Sequence, residues 1–292
     1  MLPQQLVNGV LLGATYALFA LGFTLMFGVL RVINLTYGFY FTAGAFVAWF
    51  VTRAGGGLWL ALPAAALASG VIAVVVDALL LTRLRRARAD ELASLMVTLG
   101  AVLALYAALA ALLGPDIRRL PPAVLGNEAI SLDGVRVTQA QLLILGASVV
   151  LAGGLVWLVR FSRLGLAIRA VAENPDAAGL MGIDTARVAA LVSFVSGTLA
   201  GAGGVLIGLA FNAIHPYMGE AMMLRGFVVV ILGGLGDIFG ALVAGLLLGV
   251  IEVLTAGYLA SGLKEAVAFA ILVLVLWTRP AGLFGRPVAR RV

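Results

Sequence analysis

Few residues in this chain can act on a chemical bond. There is one histidine, His215, and no cysteine in 292 residues. A zinc site built on histidine needs several ligands, and a thiolate nucleophile or cluster needs cysteine. No catalytic and no metal-ligating residue is therefore expected. A phosphate loop needs Gly-x4-Gly-Lys-Ser/Thr; the single lysine, Lys264, stands outside any such pattern. His215 precedes Pro216 and reads as a loop histidine. What remains are ionisable and amide groups set in apolar sequence. At membrane depth such groups are costly, and they mark either a bond between helices or a solute path. Glu252 is the clearest, and both readings stand for it. Asn34, Thr36 and Tyr37 lie in an apolar run that is unusually polar, and with Glu252 they are the expected lining of a path. Asn8 and Asn212 are further amides that can bond across helices. Asp77 lies about a turn from a cluster of arginines and is expected to pair with one of them.

The elements that position these groups must be membrane helices. The chain is 63% apolar and 11% charged, far from the roughly half and one quarter of soluble domains. About nine apolar runs follow one another, near residues 5–30, 33–52, 59–82, 92–113, 139–159, 186–210, 220–234, 238–257 and 263–278. A spanning helix needs about 20 residues. The fold expected is an all-α, polytopic bundle of eight or nine spans, one membrane domain over 1–292. The first two runs meet at Arg31 with almost no loop, and the seventh is short enough for a half-helix. Of 19 basic residues, Arg31, Arg83, Arg85, Arg86, Arg88, Arg160, Arg163, Arg169, Arg187, Arg279, Arg286, Arg290 and Arg291 share one side in a nine-span topology. The positive-inside rule makes that side cytoplasmic and the N-terminus external. It also explains the net charge of +6 without nucleic acid. Residues 114–138 form the longest external loop. Ile130, Leu132, Val135 and Val137 alternate around Asp133-Gly134, the pattern of a small hairpin.

Small residues recur at four-residue spacing: Gly9, Gly13 and Ala17; Gly197, Gly201, Gly204 and Gly208; Gly236, Gly240, Ala244, with Gly245 and Gly249. In lipid such stripes let helix backbones approach closely.

The cytoplasmic segment 160–186 is punctuated in detail. Leu166 to Glu173 can continue the preceding helix. Asn174 is a good N-cap, Pro175 suits the first helical position, and Asp176 puts negative charge at the positive helix end. Ala177 to Met181 complete a short helix, Gly182 suits the left-handed residue that ends it, and Asp184 caps the next span. Two readings fit: a mechanical part lying across the membrane face, or an amphipathic surface loop.

The pattern Gly165-x3-Arg169-Ala170-x3-Asn174-x2-Ala177-Ala178-x3-Gly182-Ile183 resembles the coupling segment of ABC importer permeases, and more narrowly of branched-chain amino acid permeases of the LivH type. The run from Asn8 to Gly38 is similar to that family's first two helices, and Gly226 to Glu252 to its late glycine-rich segment. Two places depart from the family: Leu35, Thr36 and Tyr37 replace a usual Phe-Ala-His, and Asp237, Ile238 and Phe239 replace Ser-Ile-Pro. The resemblance implies a permease of the bacterial inner membrane that moves branched-chain or related small amino acids by alternating access. It implies that Gly165, Arg169, Ala170, Asn174, Pro175, Asp176, Ala177, Ala178, Gly182 and Ile183 couple to ATPases. It implies as partners two ATP-binding-cassette subunits, a second permease and an external binding protein. ATP would be used by those subunits, with no cofactor in this chain. A stand-alone secondary transporter or channel is the alternative. It would be expected to carry buried acidic pairs and broken helices in both halves.

Overall fold

The computed structural model describes residues 2–87, 90–121, 129–132 and 135–285. All nine apolar runs are helical. They are α1 (Leu2–Leu30), α2 (Tyr37–Arg53), α3 (Leu58–Val76), α5 (Glu91–Leu113), α6 (Gln139–Phe161), α9 (Thr185–Phe211), α10 (Met218–Gly233), α11 (Ile238–Tyr258) and α12 (Lys264–Thr278). Shorter helices are α4 (Thr82–Arg86), α7 (Arg163–Glu173) and α8 (Pro175–Leu180). Among the described residues seven helices are long and apolar enough to cross a membrane, with α3 counted through to Arg85 and α12 together with the 3₁₀ turn Ser261–Leu263 that precedes it. The expected eight or nine exceeds this because α2 has 17 residues and α10 has 16. At 1.5 Å per residue these reach about 25 Å, short of a hydrocarbon core of about 30 Å.

The helix ends sort into two layers. At one end Gln4 clips the backbone of Arg136, donating to its carbonyl and accepting from its amide. There too Arg118 and Ile214 exchange backbone bonds of 2.7 and 2.8 Å. The strands β1 (Ala129–Leu132) and β2 (Val135–Thr138) pair antiparallel, with Ile130 opposite Val137 and Leu132 opposite Val135. The hairpin thus has the expected register; its turn, 133–134, lies outside the described residues. At the opposite, arginine-rich end lie Arg31, the α3–α4 corner, and α7 and α8. A π-turn, Asp77–Leu81, links α3 to α4. Asp77, 2% exposed, is held there by Arg85 through two bonds of 2.9 Å. Arg88, Arg286, Arg290 and Arg291 lie outside the described residues.

Helix α1 occupies the middle, against α11, α9, α10 and α6. Gly9, Gly13, Gly245 and Gly249 sit at the α1–α11 contact, and the α9 stripe packs on α2, α3 and Ile214. A Cβ on Gly9 would stand 2.8 Å from the Cα of Val250, one on Gly13 2.8 Å from the Cα of Leu246, and one on Gly249 would run into the backbone of Gly13. Gly197 faces Ser69 and Ala73, Gly201 faces Ser69, Gly204 faces the carbonyl of Phe41, and Gly208 packs on Ile214. Gly240 and Gly245 meet the backbones of Gly233 and Ala17. Gly236 is the exception. It precedes α11, with φ +86° and nothing closer to its Cβ position than 3.8 Å, so it turns the chain rather than packing helices. The outer helices α5, α6 and α12 show apolar faces outward; Trp277 is 88% exposed and Val150 72%. Such surface is stable only against lipid.

Candidate functional site

The segment between α6 and α9 is two helices joined by capped turns. Helix α6 does not run on into the arginine-rich layer, as expected from Leu166 onward; it stops at Ser162, whose backbone is extended (φ −88°, ψ 156°). The Ser162 hydroxyl donates to the carbonyl of Leu158 at 2.5 Å and accepts from the amide of Gly165 at 2.8 Å. It therefore ends one helix and caps the next. Helix α7 then folds back so tightly that a Cβ on Gly165 would run into the carbonyls of Leu158 and Val159. The Arg169 guanidinium closes the junction, donating to the carbonyls of Val159 and Arg160. These are orphan acceptors at the negative end of α6. Gly165, Ile168 and Val171, three residues apart, form the buried face of α7.

The next turn follows the expected punctuation. Asn174 Oδ1 accepts from the amides of Asp176 and Ala177, both at 3.1 Å, and Pro175 opens α8. Gly182 has φ +86°, with its amide bonded to the carbonyl of Gly179 and that of Ile183 to Ala178. Asp184 caps α9 through the amides of Ala186 and Arg187. Ala178 is buried, whereas Leu180 and Met181 are 90% and 84% exposed. A Gly182→Val substitution puts a β-branched residue at positive φ, costing roughly 1–3 kcal/mol. It is expected to speed hydrogen exchange at 178–184 while leaving the spans protected. Unchanged exchange there would show that the left-handed turn carries no constraint.

Arg31, where the first two apolar runs meet, ties this segment to α1. At φ +50° it leaves the end of α1 and donates to the carbonyls of Ala172 and Glu173, at 3.0 and 3.3 Å, at the end of α7. Residues 31–36 then re-enter the bundle without helix. Asn34 Oδ1 accepts from the amide and hydroxyl of Thr36, and the hydroxyls of Thr36 and Tyr40 lie 2.7 Å apart. The Tyr37 hydroxyl donates to the carbonyl of Phe19 at 3.0 Å, near the middle of α1. Helix α2 therefore starts at membrane depth, not at Arg31. Asn34, Thr36 and Tyr37 are 1%, 0% and 0% exposed, and their polar atoms are bonded to one another, to backbone, or to the side chains of Tyr40 and Met26.

Glu252, 3% exposed, lies elsewhere, toward the hairpin end. Its Oε2 accepts from the Tyr16 hydroxyl at 2.7 Å, and its Oε1 faces Arg225 Nε at 3.4 Å. That second contact is an ion pair of poor hydrogen-bond geometry: both atoms are buried without a hydrogen-bond partner among the described residues. Arg225 also reaches Glu265 at 3.2 Å. Arg225 and Glu252 border two cavities, of about 310 and 350 Å³. Asn34, Thr36 and Tyr37 border neither. Arg225 sits seven residues into α10, inside an apolar run; its position there was the sequence signal that would have paired it with Glu252.

A family model described as branched-chain amino acid transport system / permease component matches residues 5–276. The high-affinity branched-chain amino acid transport system permease protein LivH of Escherichia coli is 33% identical over 303 residues, covering 99% of this chain and 97% of that protein. BraD of Pseudomonas aeruginosa, named likewise, is 32% identical over 301 residues, covering 99% and 97%. A probable LivH of Methanocaldococcus jannaschii is 28% identical over 282 residues, covering 92% and 88%. No solved structure matches significantly.

Proposed function

Since the chain belongs to the branched-chain amino acid transport permease family, we propose that it carries aliphatic amino acids across the inner membrane, driven by ATPases docked on α7 and α8. It is the membrane permease subunit of an ABC importer, a multi-pass protein and not an enzyme. The full-length likeness to permease components carries this reading over a stand-alone transporter. The arginine-rich end is the cytoplasmic face by the positive-inside rule, and α2 and α10 complete nine crossings as helices too short to span alone. Hydrolysis of ATP belongs to two partner subunits, beside a second permease and an external binding protein that presents the solute at the hairpin end.

Leu180 and Met181 supply the contact. Two large apolar side chains held out on a rigidly capped helix suit a groove in a cytoplasmic partner, where a few buried anchors carry most of the binding energy. Motion of α8 passes to α6 through Arg169, to α1 through Arg31 and to α9 through Asp184. Asn34, Thr36 and Tyr37 serve this mechanism by setting where α2 begins, and Glu252 is the path residue among those expected from the sequence.

Purification of tagged chain in mild detergent, with mass spectrometry of what accompanies it, tests the reading. A phosphate-loop ATPase and a second permease are expected in fixed ratio. Leu180→Asp is expected to lower ATPase recovery about tenfold or more, since an apolar anchor contributes about 1–3 kcal/mol. A chain that purifies alone from membranes that transport without ATP would overturn it.

A further inference from the structure

We infer that Arg225 and Glu252 form a zwitterion-binding site within this subunit, taking the α-carboxylate and α-ammonium of an aliphatic amino acid. The inference rests on the amino acid importer reading above and gives it a location.

A buried ion pair kept only for stability would be expected in close, bidentate contact, because loosely paired charges do not recover their desolvation. This pair is loose. Nε and Oε1 stand 3.4 Å apart and neither has a hydrogen bond. The Tyr16 hydroxyl holds only the other carboxylate oxygen, which leaves Oε1 turned toward the guanidinium. The remaining ties on Arg225 are to Glu265, whose side chain is 65% exposed and can be released to water, and to the Tyr16 ring, whose centroid lies 6.0 Å from the guanidinium carbon. Both charges thus have bonding capacity to spare at a place where open space meets them on two sides.

The open space suits the ligand. The cavity of about 350 Å³ between α1, α2, α9, α10, α11 and the start of α12 has Arg225, Glu252, Tyr16 and Lys264 at its polar edge, so a carboxylate there meets a second cation besides Arg225. Phe41, Ile207, Met222 and Val253 line its apolar part. A carboxylate and an ammonium on one carbon match two opposite charges a few ångströms apart. Entry of such a ligand between them exchanges one ion pair for two and leaves the net charge unchanged. A fork of N–H donors recognises a carboxylate with two parallel bonds, while the branched side chain rests among Ile207, Met222 and Val253. Arg225 and Glu252 also border the neighbouring cavity beside α12, so the occupied pair stands between two compartments.

The test uses vesicles holding the complete importer, with binding protein loaded to saturation so that delivery is not limiting. ATP-dependent uptake of leucine and of alanine is measured with ATP hydrolysis and thermal midpoint. Arg225→Gln and Glu252→Gln are each expected to lower leucine uptake about tenfold or more, the loss expected on removing one charge-assisted partner, with stimulated hydrolysis kept within about twofold. Met222→Phe shortens the apolar part and is expected to lower leucine uptake several-fold more than alanine uptake. Unchanged leucine uptake in both charge variants, or losses that only follow the thermal midpoint with an unaltered leucine-to-alanine ratio in Met222→Phe, would overturn the site. Failure of the wild-type importer to take up leucine with ATP would instead remove the transport reading itself.

Discussion

A chain carrying Arg169→Glu is expected to reach the membrane at a near-normal level and to lose ATP-dependent uptake about tenfold or more. In the wild type the Arg169 guanidinium donates to the carbonyls of Val159 and Arg160, where α6 ends. Glutamate has no donor for them and adds negative charge at the negative end of a helix. Leaving the carbonyl of the buried Val159 unpaired costs about 1–3 kcal/mol, whereas that of the exposed Arg160 can turn to water; 1.4 kcal/mol is a factor of ten. The loss falls on the α6–α7 junction and not on the spans, whose contacts lie elsewhere in the bundle. ATP hydrolysis should continue while transport stops, because the ATPases can still bind α8 but their motion no longer reaches α6. Arg169→Lys should restore part of the coupling, since an ammonium offers a point charge without the planar fork. Leucine uptake and ATP hydrolysis, measured per transporter in the same vesicles, decide it. Wild-type uptake by the glutamate variant would mean that Gly165, Ser162 and Arg31 hold α7 in place without Arg169.

The second large effect concerns the α1–α11 contact. Gly249→Ala adds one methyl group, and that carbon would collide with the backbone nitrogen and Cα of Gly13. Overpacking costs about 1–3 kcal/mol where neighbours can shift. Here the neighbour is the main chain of a central helix, so about 3 kcal/mol is expected, a large part of a total stability of roughly 5–15 kcal/mol. The thermal midpoint should fall by several degrees, and the amount of folded chain in the membrane with it. Gly146→Ala in α6 is the matched control. Nothing lies within 4 Å of the added carbon there, and alanine favours helix by about 1 kcal/mol over glycine. The control should be neutral or slightly stabilising. Equal effects at the two positions would mean that the close approach of α1 and α11 contributes nothing to stability.

Much of this molecule is legible in its sequence because the relevant physics is local. Apolar runs of about 20 residues have few folds open to them in lipid, so all nine helices stand where composition puts them. Asn174, Pro175, Gly182 and Asp184 act on atoms within a few residues of themselves, so the caps and turn around α8 can be read one residue at a time. The pairing of Asp77 with a nearby arginine is legible for the same reason. What only the tertiary structure decides are contacts between groups far apart in the chain. The end of α6 at Ser162 depends on Arg169 folding back onto Val159 and Arg160. The start of α2 at membrane depth depends on Tyr37 reaching Phe19 and on Arg31 reaching the end of α7. Gly236 and Gly240 share a spacing, yet one turns the chain and the other packs against Gly233, and spacing carries no trace of which end of a helix a glycine occupies. Glu252 announces itself as a charge in lipid, but its partners Arg225 and Tyr16 lie 27 residues before it and 236 residues away. A sequence shows that a buried carboxylate must be answered; the packing of α1, α10 and α11 determines which side chains answer it and how much room is left between them.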